Sequence, residues 1–317
     1  MQLSKKILYS LLRAWFTLTF AVCVLLTSLF TRITHMLVFL PKTRREQISA
    51  QLAGLAFRAI FALNPQISIE HVGDDEPAWD DLFSNENGNP FVLINHTSQL
   101  DSIFYSACVP TAHIVSLRTM AKSSLFNIPV FGHLLRSCGH FPVFFAKETA
   151  MNDFSVDKDA QEKVQKLVEA HIDNGGGLSL FPEGQINRVN SRNLQSFRRG
   201  SLQMARKKNM TLWGFLHTGV ENIWPHSEPV GGFPGKIRFK LFRIPTKPND
   251  CDIAEYVSHV EKIMQLELDL MHALDAGKSI EDIQKARDQL WDEVKMTAAG
   301  DKVLEKQLSD AVDLQGR

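Results

Sequence analysis

No CxxC pair occurs in this sequence, and its four cysteines, Cys23, Cys108, Cys138 and Cys251, stand far apart. Neither a zinc ribbon nor a disulfide-stapled scaffold is indicated, and a reducing compartment is the simpler expectation. Net charge is missing as well: 35 basic side chains balance 35 acidic ones. A general nucleic-acid binder would carry a basic excess, so no nucleic-acid partner is expected. There is no internal repeat, no low-complexity stretch and no GxSxG serine elbow. The run Gly231-Gly232-Phe233-Pro234-Gly235 lacks GxGxxG spacing and a following helix, and reads as a turn rather than a nucleotide cradle. His113, His133, His140, His171 and His217 show no metal-ligand spacing and read as packing or surface histidines. No metal and no resident cofactor is expected.

Charge is also absent from Ala14 to Thr31, and apolar character resumes from Ile33 to Leu40. These 18 uncharged residues are just enough for a membrane-spanning helix. Lys5, Lys6 and Arg13 precede the run and Arg32, Lys42, Arg44 and Arg45 follow it, so the positive-inside rule gives no orientation. A bent or interfacial helix pair would put both basic ends on one anionic membrane face, although no Gly or Pro marks a bend. A signal peptide is disfavoured because no small-residue cleavage site follows the run. A lipid bilayer is therefore an expected partner.

Beyond this segment, Ile48, Leu52, Leu55, Ala56, Ile60 and Phe61 have amphipathic-helix spacing over 44–63, and residues 74–90 are acidic and turn-rich, as a surface loop would be. Short apolar runs then alternate with helical patterns. Strands are expected at 91–94, 112–117, 141–145 (an edge), 178–181, 211–216 and 236–244. Helices are expected at 102–108, at 123–136 with interruptions at Pro129 and Gly132, at 160–172 before Gly175-Gly176-Gly177, and from Asp252 onward. The basic stretch from Arg188 to Lys208 reads as a solvated helix face. The alternation implies an α/β fold, a central mixed sheet covered by helices, with an N-terminal membrane-attached helical segment and a helical C-terminal tail.

The chemistry-bearing window is Asn95-His96-Thr97-Ser98-Gln99-Leu100-Asp101, directly after the apolar run Phe91-Val92-Leu93-Ile94. Residues five apart on a helix sit about 140° from each other around the axis and would not meet. With His96 just before a helix and Asp101 in its first turn, the carboxylate reaches one imidazole nitrogen and the other faces outward as a base. That is a catalytic triad without its protein nucleophile, so the attacking hydroxyl would come from substrate. The competing reading is a capping box, Ser98-x-x-Asp101, with His96 a loop histidine.

The order Asn95-His96-x-x-x-x-Asp101, Gly139 before an edge strand, and Phe181-Pro182-Glu183-Gly184 resembles the glycerolipid acyltransferase superfamily over roughly 91–245. The resemblance implies His96 as general base, Asp101 as its orienter, and Glu183 and Gly184 as contacts to the acceptor. It implies acyl-CoA as co-substrate, a lysophospholipid or glycerol phosphate as acceptor, and no acyl-enzyme. Two positions depart from the family pattern. Phe145 stands where the second motif usually has an arginine, with Lys147 two residues on, on the same face of the strand. The third motif continues Gln185-Ile186-Asn187-Arg188, leaving phosphate binding to Arg188 with Arg198 or Arg199. The Phe-Pro-Glu-Gly-x-x-Asn form and Trp224-Pro225 are also similar to the tafazzin branch of phospholipid transacylases. An acyl-ester hydrolase and a non-catalytic lipid-binding relative are the remaining alternatives.

The resulting layout is a membrane anchor at 1–45, a linker helix and loop at 46–80, an acyltransferase domain at 81–250 and a helical extension at 251–317. Asn95-His96-Thr97 and Asn209-Met210-Thr211 are glycosylation sequons, and a glycan on Asn95 would block the base. A site on the cytosolic face of the membrane avoids this.

Overall fold

The computed structural model describes residues 2–72, 79–83, 88–148, 154–156, 158–245 and 251–276, with single positions at 285 and 289. Most of the expected acidic loop and the chain beyond 276 lie outside these residues. Two compact units interleave in sequence: 1–65 with 102–180, and 66–101 with 181–317.

In the first unit, α1 (Gln2–Met36) is one continuous helix and α2 (Lys42–Ala62) returns along it. The Trp15 indole donates to Leu63 O at 2.8 Å, the Asn64 amide to Thr19 Oγ1 at 2.9 Å, and Arg45 to His35 O at 2.8 Å, which fixes an antiparallel hairpin. The reversal falls at residues 37–40, and Pro41 stands at the start of α2. Residues Lys5–Met36 are long and apolar enough to cross a bilayer. Leu11, Leu18, Leu25 and Leu29 of that helix are exposed, so its outer face is apolar. Arg58 ties α2 to residues 107–111, donating to Ala107 O at 2.9 Å and Thr111 Oγ1 at 2.6 Å.

Three strands of this unit run parallel, in the order β7 (Gly177–Leu180), β3 (Leu117–Lys122), β4 (Phe141–Val143). Residues 112–117, expected as a strand, instead start with α4 (Thr111–Ile114) behind Pro110, and the strand begins at Leu117. Proline presets the helical φ, which outweighs the β-branched run after it. Around these strands lie α3 (Asp101–Cys108), α5 (Phe131–Ser137) and α6 (Lys158–Asp173). The edge strand expected over 141–145 breaks at Phe144, whose N–H donates to Gln161 Oε1 at 3.1 Å. Beyond it, β5 (Phe145–Glu148) pairs antiparallel with β6 (Phe154–Val156) in a separate ribbon.

The second unit carries the order β1 (Ile67–His71), β9 (Gly235–Arg243), β8 (Thr211–Thr218), β2 (Pro90–Ile94). The β8–β9 pair is antiparallel, whereas β1–β9 and β2–β8 are parallel, so the sheet of this unit is mixed. β1 left no sequence signal because only Ile67 of it is buried. β2 is buried throughout, as a strand covered on both faces must be, which is why it reads as a continuous apolar run. Of the basic stretch, only α7 (Arg199–Lys207) is helical; residues 185–198 are irregular. β8 ends at Gly219, whose φ of +85° and position against Lys236 O exclude a side chain, and the short α8 (Val220–Ile223) follows. α9 (Ile253–Asp275), capped by Asp252 accepting from Ala254 N at 2.7 Å, packs on β8 and buries Val260, Ile263, Met264, Leu268 and Met271.

Candidate active site

β2 delivers Asn95 and His96 at its C-terminal end, and four residues of non-helical backbone separate His96 from Asp101 at the start of α3. This short bend lets two side chains five apart in sequence meet: His96 Nδ1 lies 2.8 Å from Asp101 Oδ2. A carboxylate oxygen only accepts, so Nδ1 carries the proton and the Nε2 lone pair remains for base chemistry. The imidazole stacks on Phe181, ring centroids 4.1 Å apart.

Asp101 is fully buried, and its Oδ2 also accepts from the N–H groups of Thr97 at 2.6 Å and Ser98 at 2.8 Å. Ser98 Oγ in turn accepts from Leu100 N at 3.2 Å. The capping box and the histidine–carboxylate pair are therefore one construction rather than alternatives. The helix cap positions the carboxylate that meets the His96 imidazole. Ser98 Oγ donates to Trp224 O at 2.7 Å, so this hydroxyl is committed to the backbone.

Glu183, 1 % exposed, commits both carboxylate oxygens to backbone: Oε1 accepts from His96 N at 2.8 Å and Oε2 from Gln195 N at 2.9 Å. Burial pushes its carboxyl up to about 7 against the pull of these two N–H groups, with the Asp101 charge adding to the rise. The residue expected to touch the acceptor thus grips the loop that presents the base. Asn187 is a second fastening. Its N–H donates to His96 O at 2.6 Å, its side-chain amide donates to the carbonyls of Asn190 and Asn193, and its Oδ1 accepts from the N–H groups of Val189 and Asn190 at 3.2 Å.

The expected phosphate ligands are distributed unevenly. Gly184, exposed at a φ of +75°, lies under the Arg198 side chain, whose Nε would be 3.2 Å from an added Cβ. Arg198 N also donates to Pro182 O at 2.8 Å, so Arg198 is folded onto the Phe-Pro-Glu-Gly turn. Arg188 is exposed and directly follows Asn187; Arg199 is exposed in the first turn of α7. Lys147 belongs to the β5–β6 ribbon, where the register shifts between Phe145 and Lys147. Regular strand alternation therefore does not relate these two positions, contrary to the expectation from sequence.

Three parts of the site left little trace in the sequence. Gln195 acts through its backbone N–H and Trp224 through its carbonyl, which no side-chain motif reveals. His217, expected from spacing to be a packing or surface histidine, is buried at the end of β8, with Nε2 3.1 Å from Asn95 O and 3.6 Å from Asp101 Oδ1. The Asn95 side chain pairs with the backbone of His217 in both directions, accepting from its N at 2.9 Å and donating to its O at 3.0 Å. Asn95 is 1 % exposed, which removes it as a glycan acceptor. Elsewhere, in the first unit, His140 fits the packing role: its Nδ1 accepts from Thr119 N at 3.0 Å, and burial pushes its pKa down to about 4.

Comparison with known proteins agrees with this arrangement. Residues 79–215 match the family model described as Acyltransferase. Among solved structures, the chain is similar to the 1-acyl-sn-glycerophosphate (LPA) acyltransferase PlsC from Thermotoga maritima, with a TM-score of 0.62 and 19 % identity, over 84 % of this chain and 98 % of that one. No curated protein matches the sequence. At this identity the structural likeness speaks for the fold, while the family match covers His96, Asp101 and Glu183 together. Residues 79–215 are therefore the part of the chain that matches the acyltransferase family, and they contain the His96–Asp101 pair and Glu183.

Proposed function

We propose that the protein is membrane-bound and transfers a fatty acyl group from acyl-CoA to the hydroxyl of a lysophospholipid or glycerol phosphate, on the cytosolic face of its membrane. The observation that carries the chemistry is the 2.8 Å contact between His96 Nδ1 and the buried Asp101. His96 Nε2 takes the proton of the acceptor hydroxyl as its oxygen attacks the thioester carbonyl. The tetrahedral intermediate collapses with cleavage of the C–S bond, and the departing thiolate takes the proton back from the imidazolium. Asp101 holds the ring in the required tautomer and offsets the imidazolium charge. A thioester is already activated, so direct transfer needs no acyl-enzyme. The nearest serine, Ser98, has its hydroxyl tied to Trp224 O, which argues against a serine-hydrolase route.

The apolar outer face of α1 supports attachment to the bilayer, where both acyl substrates reside. The acceptor named for the Thermotoga relative, 1-acylglycerol phosphate, supports lysophosphatidate as the first acceptor to try. Arg198, lying on the Phe-Pro-Glu-Gly turn, and the exposed Arg188 supply cationic groups suited to a phosphate.

The deciding experiment supplies detergent-purified protein with labelled acyl-CoA and a panel of lysophospholipids and glycerol phosphate. Labelled phospholipid, or labelled lysophosphatidate from glycerol phosphate, is the expected product. Free fatty acid alone would indicate a hydrolase, and no turnover a lipid-binding relative. Transfer from a labelled phospholipid but not from acyl-CoA would indicate a transacylase of the kind the Asn187 form suggests. With the charge of Arg188 reversed (Arg188→Glu), the acceptor KM is expected to rise about tenfold or more, matching one lost charge-assisted hydrogen bond, with the acyl-CoA KM little changed. An equal rise in both constants would remove Arg188 from the phosphate site.

A further inference from the structure

We infer that His217 is a positioning residue for the transfer reaction, holding Asp101 from the side opposite His96; this rests on the proposed role of His96 as base. Asp101 is fully buried, and its two oxygens have different surroundings. Oδ2 receives three donors, from His96, Thr97 and Ser98. Oδ1 makes no hydrogen bond of its own and faces His217 Nε2 at 3.6 Å. That nitrogen also lies 3.1 Å from the Asn95 carbonyl, which can only accept, so Nε2 carries the proton. Its N–H therefore bonds Asn95 O, with Asp101 Oδ1 a second acceptor beside it.

The strand geometry makes this placement rigid. β2 and β8 run parallel with Ile94 opposite Phe215. Just beyond that register, the Asn95 side chain takes the place of backbone and bonds both N and O of His217. His217 is thereby locked to the residue that precedes His96, and its buried imidazole is held beside Asp101 by the Asn95 carbonyl. Without an N–H on the Oδ1 side, the carboxylate loses a restraint on its torsion and keeps more of its charge for His96. The first change misaligns the base; the second strengthens the attraction between the carboxylate and the imidazolium formed during transfer.

The test uses the full chain in detergent with His217→Leu and His217→Gln, since a glutamine amide can set an N–H near the position of Nε2. The leucine variant is expected to lose about tenfold or more in kcat with both KM values within about twofold of the parent, the size of one lost oriented hydrogen bond. The low-pH limb of its kcat/KM profile is expected to move upward, and glutamine to restore most of both. A defect in folding alone would lower the plateau and leave that limb in place. Activity of His217→Leu within threefold of the parent, or an unmoved limb, overturns the inference. His96→Ala, run beside it, separates the two levels: transfer surviving there overturns the role of His96 itself, whereas loss there with normal activity in His217→Leu overturns only the role of His217.

Discussion

Acyl transfer is expected to fall by about 10²- to 10⁴-fold in His96→Ala, the usual worth of a positioned general base, while the thermal midpoint stays close to that of the parent. The stability half of this expectation follows from the way His96 is held. Its backbone is fastened at both polar groups, the N–H to Glu183 and the O to Asn187, and neither bond involves the imidazole. Removing the ring leaves that frame in place and costs mainly the stacking on Phe181 and one bond to Asp101. Unchanged transfer would mean that another group takes the hydroxyl proton.

Glu183 is expected to affect stability more than any other residue of the site. In Glu183→Ala the N–H groups of His96 and Gln195 both lose their acceptor, at a cost of about 1–3 kcal/mol for each buried donor left unpaired. Glutamine separates charge from shape. The folded carboxyl sits at about 7 against an ordinary 4.5, so the stability of the neutral form is fully present below 4.5 and is lost as pH rises through about 7. Glutamine does not titrate. The stability of Glu183→Gln relative to the parent should therefore increase with pH from about 5 to above 7, by as much as about 3 kcal/mol. Denaturation midpoints in one detergent across that range test the sign. A constant gap would mean that the two N–H groups hold the carboxylate ionised despite its burial, and that Glu183 is a pH-independent clamp.

Much of the fold was legible because its signals are local. The continuous apolar run of β2, the Gly175-Gly176-Gly177 stop after α6 and the stripe of α9 each belong to a single element with a single driving force. β1 was invisible because three of its five residues are exposed, and α4 was misread because a proline outweighed β-branched neighbours. In the site, the contact between His96 and Asp101 was legible because one bend can close that spacing. Glu183 was legible as a motif but not in what it touches, since a carboxylate can hold a substrate or a backbone with the same atoms. His217 could have been suspected only from its place: β8 is an apolar strand, and a histidine near its C-terminal end is well placed to meet what β2 presents.

Helix α9 bears on the active site from a distance. Glu261 accepts from Phe197 N, and Gln265 both accepts from Leu194 N at 2.7 Å and donates to Arg192 O at 2.9 Å. The loop so held is the one whose Gln195 N–H bonds Glu183, and Glu183 in turn bonds His96 N. His96, the base of the proposed reaction, is thus the last link of a tether that begins in a helix outside the residues matched by the family model. Natural variation or truncation in that helix should be read as variation in the active site, and the domain excised at its family boundaries would hold every catalytic side chain without the brace that keeps them aligned.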